Sequence, residues 1–320
     1  MKVLIYAVLI TLWAAMSQAQ SAQSSQPKAI VAEQSRARPV VMERAEQWTM
    51  RSKPGRIYEI SVARPSAAAP AHGYPVMYIL DPSTAFATLV DTVRNQEQMF
   101  GPVVVVGVGY ASDAEEENRT LDLTPPTDPA NLPAGMPNGW GATGGNDAFL
   151  SFLVDELKPA IAKAMVVDPS RQALFGHSLG GLFVLHALFV RSDSFDTYIA
   201  GRPSIWWGKE AILGEVAAFK AAQQRTKVHR RLLITVGELE AIASPEEIRL
   251  GAALKIGDPM KLMREAHQVE NSAELTASLS SLAANGLDVH RVAFPDETHN
   301  SVIPAYLARG ARFTLTGWYQ

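Results

Sequence analysis

Ten residues constrain this chain more than any others: Ala173, Leu174, Phe175, Gly176, His177, Ser178, Leu179, Gly180, Gly181 and Leu182. An apolar run leads into Gly-x-Ser-x-Gly. Apolar residues at helical spacing (Leu182, Phe183, Leu185, Leu188, Phe189) lead out. A strand, a one-residue turn and a helix in that order form a nucleophile elbow. The turn is so tight that Ser178 is expected in a strained backbone conformation, with its hydroxyl held clear of the sheet. Gly176 and Gly180 are expected to lack β-carbons because the neighbouring strand and helix leave no room for them. The amide of Leu179, at the helix N-terminus, points where a developing oxyanion would sit.

The rest of the chain reads as strands alternating with helices. Tyr74 to Leu80 and Val103 to Val108 are apolar without polar alternation, as in strands covered on both faces. Val41 to Met50 and Ile57 to Ala63 predict two earlier strands around a Lys53-Pro54-Gly55 turn. Further strands are expected over Asp196 to Ala200, Arg231 to Val236 and Val289 to Phe294. Helices are expected over Phe149 to Ala164 (with Pro159 as a kink), Lys209 to Ala222, Pro259 to Ala284 and after Asn300 to about Thr316. Such alternation predicts an α/β fold with a mostly parallel central sheet and helices on both faces, in one domain over residues 40–320. Ala111 to Asn146 reads as a long irregular segment.

Two segments precede that domain. Lys2 followed by an apolar run and by Ser17-Gln18-Ala19 reads as a signal peptide over residues 1–19, which predicts export to the periplasm or beyond. Residues 20–39 are rich in Gln, Ser and Ala and read as a flexible lead-in. The net charge of −3 argues against a nucleic-acid partner. With no cysteine there is no disulfide, so stability must come from the core.

In open α/β sheets, ligands bind beyond the carboxyl ends of the strands. Ser178, Glu240 and His299 each follow a predicted strand on that edge, in the order nucleophile, acid, histidine. A serine hydroxyl needs a neutral imidazole to take its proton, and a carboxylate orients that imidazole. His299 is the expected base, whereas His186 falls on the apolar elbow helix and reads as packed. Glu240 is the expected acid, with Glu238, Asp258 and Asp296 as alternatives. Pro82 has no amide hydrogen, so Ser83 is the expected second oxyanion donor beside Leu179. No cluster of His, Asp and Glu has metal-ligand spacing, and no cofactor is expected.

The stretch Leu174 to Phe183 and the earlier run Tyr74 to Asp81 resemble the esterase D-like family, and more narrowly the bacterial periplasmic siderophore esterases of the enterobactin and salmochelin type. The segments Arg119 to Pro125, Gly144-Gly145, Pro203 to Trp207, Val236 to Glu240 and His299 to Val302 resemble the same family. The resemblance implies a serine esterase that cleaves carboxylic esters, with the trilactone backbone of a catecholate siderophore as the expected substrate. It implies Ser178 as nucleophile, His299 as base and Arg119 near an anionic substrate. Trp206, followed by Trp207, could offer a flat face to an aromatic ring. Two positions depart from the family pattern: Pro82 stands where glycine is common, and Arg202 where serine is common. Arg202 reads as added charge for an anionic ligand or as a surface charge. An acyl or feruloyl carbohydrate esterase, an acyltransferase and an inactive ligand-binding homologue are the alternatives.

Overall fold

The uninterrupted apolar runs form the middle of one eight-stranded sheet. The computed structural model describes residues 39–111, 115–132, 140–241, 245, 248–249 and 266–319. The signal-peptide reading and Asp258 lie outside them, as does all but the last residue of the lead-in and the first part of the helix expected from Pro259.

The strands are β1 (Ala45–Arg51), β2 (Ile57–Ala63), β3 (Tyr74–Leu80), β4 (Val104–Gly109), β5 (Val167–His177), β6 (Thr197–Gly201), β7 (Arg230–Gly237) and β8 (Leu287–Phe294). Their order across the sheet is β1-β2-β4-β3-β5-β6-β7-β8. The β1–β2 and β2–β4 pairs are antiparallel and every other pair is parallel. The first strand pair, joined at Lys53 to Gly55, therefore caps one edge. The parallel strands carry Ser178, Arg202, Glu238 and His299 just past their carboxyl ends.

The longer helices among the described residues are α1 (Pro82–Arg94), α2 (Glu115–Leu123), α3 (146–164), α4 (Leu179–Val190), α5 (Leu213–Thr226), α6 (Gln268–Ser280) and α7 (Val302–Trp318). In α3 a wide turn over Leu153–Leu157 precedes Pro159. Proline has no amide to offer the carbonyl four residues back, so the helix widens there and continues. Helix α5 starts later than expected because Gly208 and Lys209 take positive φ (59° and 56°) and break the run. Helix α2 is a departure from the expected irregular segment.

One core lies on each face of the sheet. One gathers Tyr58, Tyr78, Phe149, Phe152, Phe183, Tyr198 and Trp207 beneath α3 and α4. The other gathers Met77, Ile79, Phe175, Ile199, Tyr306 and Leu307 beneath α1 and α7. Helix α4 is buried all round, which explains its lack of a polar face. Among the described residues no helix is long and apolar enough to cross a membrane.

Candidate active site

Ser178 stands between β5 and α4 with φ 60° and ψ −116°. For a non-glycine residue that conformation costs on the order of 1–3 kcal/mol, and it persists only where its surroundings hold it. Here the Ser178 amide donates to the Gly201 carbonyl (2.9 Å), and the Ser178 carbonyl accepts from the amides of Leu182 (3.0 Å) and Ser204 (3.1 Å). Gly176 is required as expected: a β-carbon there would lie 2.3 Å from the Gly180 carbonyl oxygen. The second tight position is Gly181 rather than Gly180. A β-carbon on Gly181 would lie 2.6 Å from the Gly201 carbonyl, whereas on Gly180 the nearest atom is 3.3 Å away. The Ser178 Oγ is 3.5 Å from that of Ser204, and Ser178 is almost fully buried.

His299, in the loop between β8 and α7, is buried beside the elbow. Its ring centroid is 4.8 Å from that of His177, and the Tyr306 ring stacks on His177. Burial holds the His299 imidazolium well below its usual pKa, and the charges of Arg202, His177 and Arg119 push in the same direction. His177 is lowered to about 3 by burial, then by Arg202 and Arg119. Both rings are therefore neutral at ordinary pH, as a general base must be.

The expected hydrogen bond from His299 to Glu240 is not formed: among the described residues His299 Nδ1 has no hydrogen-bond partner. Glu240 is buried in the turn after β7, where its Oε1 accepts the Gly237 amide (2.7 Å) and its Oε2 accepts Arg202 Nε. The physical reason is charge: a guanidinium is a stronger partner for a buried carboxylate than a neutral imidazole. Glu238 and Asp296, two of the alternatives, are exposed. Arg202 is thus neither a surface charge nor open to a ligand, with its side chain 3% exposed. His186 is packed on α4 as expected, with Nδ1 2.9 Å from Glu215 and Nε2 3.3 Å from Asp147.

Arg119, on α2, was expected near substrate. Its Nε and Nη2 donate to the two carboxylate oxygens of Asp81 at 2.7 and 2.8 Å, and Nη2 lies 3.4 Å from the His177 carbonyl. Asp81 caps α1 in the left-handed region (φ 54°) and directly precedes Pro82 and Ser83. Arg119 therefore joins the turn that carries the candidate oxyanion donor Ser83 to the elbow that carries Leu179. Ser83 also lines a cavity of about 120 Å³ with Tyr110 and Phe86.

Trp207 is fully buried and donates its Nε1 to Thr127 Oγ1 (2.9 Å). Trp206 keeps a small exposed area and meets Trp140, whose ring centroid is 5.6 Å away. Sequence reasoning passed over Trp140 as part of an irregular segment, His177 as the variable elbow position and the Arg202–Glu240 pair. The first two carried a signal, an aromatic and an imidazole beside the motif residues.

The family model described as Putative esterase matches residues 52–288. The ferri-bacillibactin esterase BesA of Bacillus subtilis is 35% identical over 268 residues, 81% of this chain and 85% of that protein. The siderophore enterobactin esterase of Emericella nidulans is 32% identical over 286 residues, 83% and 92% of the two chains. Among solved structures, the siderophore hydrolase EstA of Aspergillus nidulans superposes with a TM-score of 0.75 at 28% identity, covering 89% of this chain and 99% of that one. A serine elbow in a mostly parallel sheet, a family match over most of the chain and relatives at this identity lead to one assignment: the chain belongs to the Putative esterase family and is a carboxylic ester hydrolase of the α/β-hydrolase fold.

Proposed function

We propose that the chain is an exported serine esterase that hydrolyses the ester bonds of a siderophore, with the trilactone of a catecholate siderophore as its substrate. The observation that carries the serine mechanism is the strained backbone of Ser178 with a buried, neutral His299 beside the same elbow. The Ser178 hydroxyl attacks the ester carbonyl while His299 takes its proton. The amides of Leu179 and Ser83 receive the oxyanion. His299 returns the proton to the departing alkoxide, and water then cleaves the acyl-enzyme by the same two steps in reverse roles. The substrate rests on the relatives, whose names specify ferri-bacillibactin and enterobactin. Trp206 and Trp140 supply the aromatic wall against which a catechol ring would lie. Arg119 supports the oxyanion turn through Asp81. Export rests on the pattern of residues 1–19, and a mature chain beginning after Ala19 is its mass-spectrometric signature.

The test is turnover of p-nitrophenyl acetate and of ferric and iron-free catecholate siderophores by wild type and Ser178→Ala, read by mass spectrometry. Wild type is expected to open the siderophore lactone and Ser178→Ala to do nothing. Turnover confined to acetylated or feruloylated sugars would replace the substrate and keep the mechanism. Activity retained by Ser178→Ala would remove the mechanism.

A further inference from the structure

The loop that follows β6, Arg202 to Ser204, is tied down at each residue, and the esterase mechanism above makes no use of it. The Arg202 amide donates to the Thr235 carbonyl of β7 (2.8 Å), and its guanidinium is paired with the buried Glu240 carboxylate. The Pro203 carbonyl accepts from Gln268 Nε2 of α6 (2.6 Å). The Ser204 amide donates to the Ser178 carbonyl (3.1 Å), and the Ser204 carbonyl accepts from the Trp207 amide (3.1 Å). The backbone of Ser204 is thus held directly against the elbow, and its side chain is fully buried. Among the described residues its hydroxyl has one hydrogen-bond partner, the hydroxyl of Ser178, 3.5 Å away oxygen to oxygen.

We propose that Ser204 is a further catalytic residue of the esterase reaction, its buried hydroxyl donating a hydrogen bond to the Ser178 oxygen as that oxygen attacks the ester carbonyl. The proposal rests on the serine-esterase reading, in which Ser178 is the nucleophile. In the attack the Ser178 oxygen bonds to the carbonyl carbon, the carbonyl electron pair moves onto the oxyanion, and the Ser178 proton goes to His299. Ser204 keeps its own proton throughout. Because the Ser178 proton is committed to His299, the O–H between the two serines must come from Ser204.

A buried hydroxyl left unpaired is costly, so the Ser204 proton is directed at its one polar neighbour. The Ser178 oxygen becomes more negative as its own proton leaves, and a hydrogen bond to a charged acceptor is shorter and stronger than one between neutral groups. The contact is therefore stronger in the transition state than in the resting site, which is the condition for it to raise the rate. Catalytic hydrogen bonds that are long in an unliganded site tighten in the complex, and 3.5 Å leaves room for that. When water cleaves the acyl-enzyme, the same donor stabilises the Ser178 oxygen as it departs. The Arg202–Glu240 pair and the Gln268 contact keep the loop against the elbow, so the donor stays in place through both halves of the cycle.

The test removes the hydroxyl and keeps the backbone. Ser204→Ala should lower kcat for p-nitrophenyl acetate about ten- to a hundredfold, with KM within about twofold of wild type. Labelling by diisopropyl fluorophosphate, in which the Ser178 oxygen bonds to phosphorus and fluoride leaves, should slow by a similar factor. It should still reach one label per chain, on Ser178 by peptide mass, at an unchanged melting temperature. Ser204→Thr restores the hydroxyl and should label and turn over faster than Ser204→Ala. If the added methyl prevents folding, the Ser204→Ala comparison decides alone. Wild-type kcat and labelling rates in Ser204→Ala would overturn the proposal, as would a loss confined to KM or a folded Ser204→Thr no faster than Ser204→Ala. Incomplete labelling with a lowered melting temperature would show a structural role and overturn it too. A wild-type protein inert toward every ester and unlabelled at Ser178 would refute the serine-esterase reading itself. Equal labelling of Ser178 in both proteins would refute only the role of Ser204.

Discussion

Replacing Arg119 with methionine separates two readings of that residue. Its guanidinium forms two parallel hydrogen bonds to Asp81, at 2.7 and 2.8 Å, with side-chain exposures of 9% and 13%. Methionine keeps most of the volume and removes the charge, leaving a largely buried carboxylate without its cation. Breaking a buried pair from one side costs about 3–5 kcal/mol. At roughly 2 °C per kcal/mol, the low end of the range for domains somewhat smaller than this one, thermal unfolding should begin about 6–10 °C lower. Asp81 also sets the turn that presents Ser83. Losing one oxyanion donor costs on the order of 10²-fold in kcat. Arg119→Met should therefore lower kcat by about that factor, and equally for neutral p-nitrophenyl acetate and for an anionic siderophore. Both quantities are read on folded protein, by calorimetry and by steady-state kinetics below the unfolding onset. Arg119→Met/Asp81→Leu should be more stable than Arg119→Met alone, since no charge is then stranded. A normal melting temperature with a KM raised only for the anionic ester would refute this reasoning. It would return Arg119 to the role of a substrate contact.

Ser178→Ala and His299→Ala should each abolish ester turnover, because members of such a constellation act as a unit. Ser178→Ala should leave the circular dichroism spectrum unchanged, and residual burst kinetics in it would contradict the assignment. Gly176→Ala should fail to fold, because its β-carbon would lie 2.3 Å from the Gly180 carbonyl, while Gly180→Ala should yield folded protein. Equal yields would show that the elbow relaxes. Lys158 is pushed down to about 8 by burial, from an ordinary 10.5. Between those values the unfolded chain binds more protons than the folded one, so this group makes stability rise with pH. Urea titrations should show wild type gaining on Lys158→Met from pH 8 to pH 10; a constant difference would contradict the shift.

Much of this architecture was legible because it rests on runs of residues near one another in sequence. The apolar stretches Tyr74 to Leu80 and Val104 to Val108 need two covered faces, and Gly-x-Ser-x-Gly at a strand end admits few geometries. Helix α2 was not legible, because polar residues take up much of its buried surface. Arg119, Thr120 and Asp122 are buried there beside Leu123, and Arg119 and Asp122 pair with Asp81, Arg56 and Tyr58. Apolar periodicity is weak in a helix that buries ion pairs beside its apolar residues. Strand β5 begins at Val167, ahead of the apolar run at Ala173, and its pairing with β3 is irregular between Tyr74 and Val76. The partner of Glu240 was hidden for another reason. Arg202 lies 38 residues away on a different loop, and only the β6–β7 register brings the two together.

The unmatched polar atoms around the elbow have a bearing on attempts to make the enzyme more durable. His177 Nε2, His299 Nδ1 and the Tyr306 hydroxyl are all buried and lack hydrogen-bond partners among the described residues. Each such group costs about 1–3 kcal/mol relative to a matched or apolar one. A laboratory selection for heat resistance alone would be drawn to these positions first, since phenylalanine or leucine there removes a penalty without opening a hole. It would thereby fill the neighbourhood of the proposed base with hydrocarbon, and the sturdier protein is expected to lose ester turnover. Durability is better sought at solvent-facing sites far from the carboxyl edge of the sheet, such as the exposed Val40, Met99 and Val166.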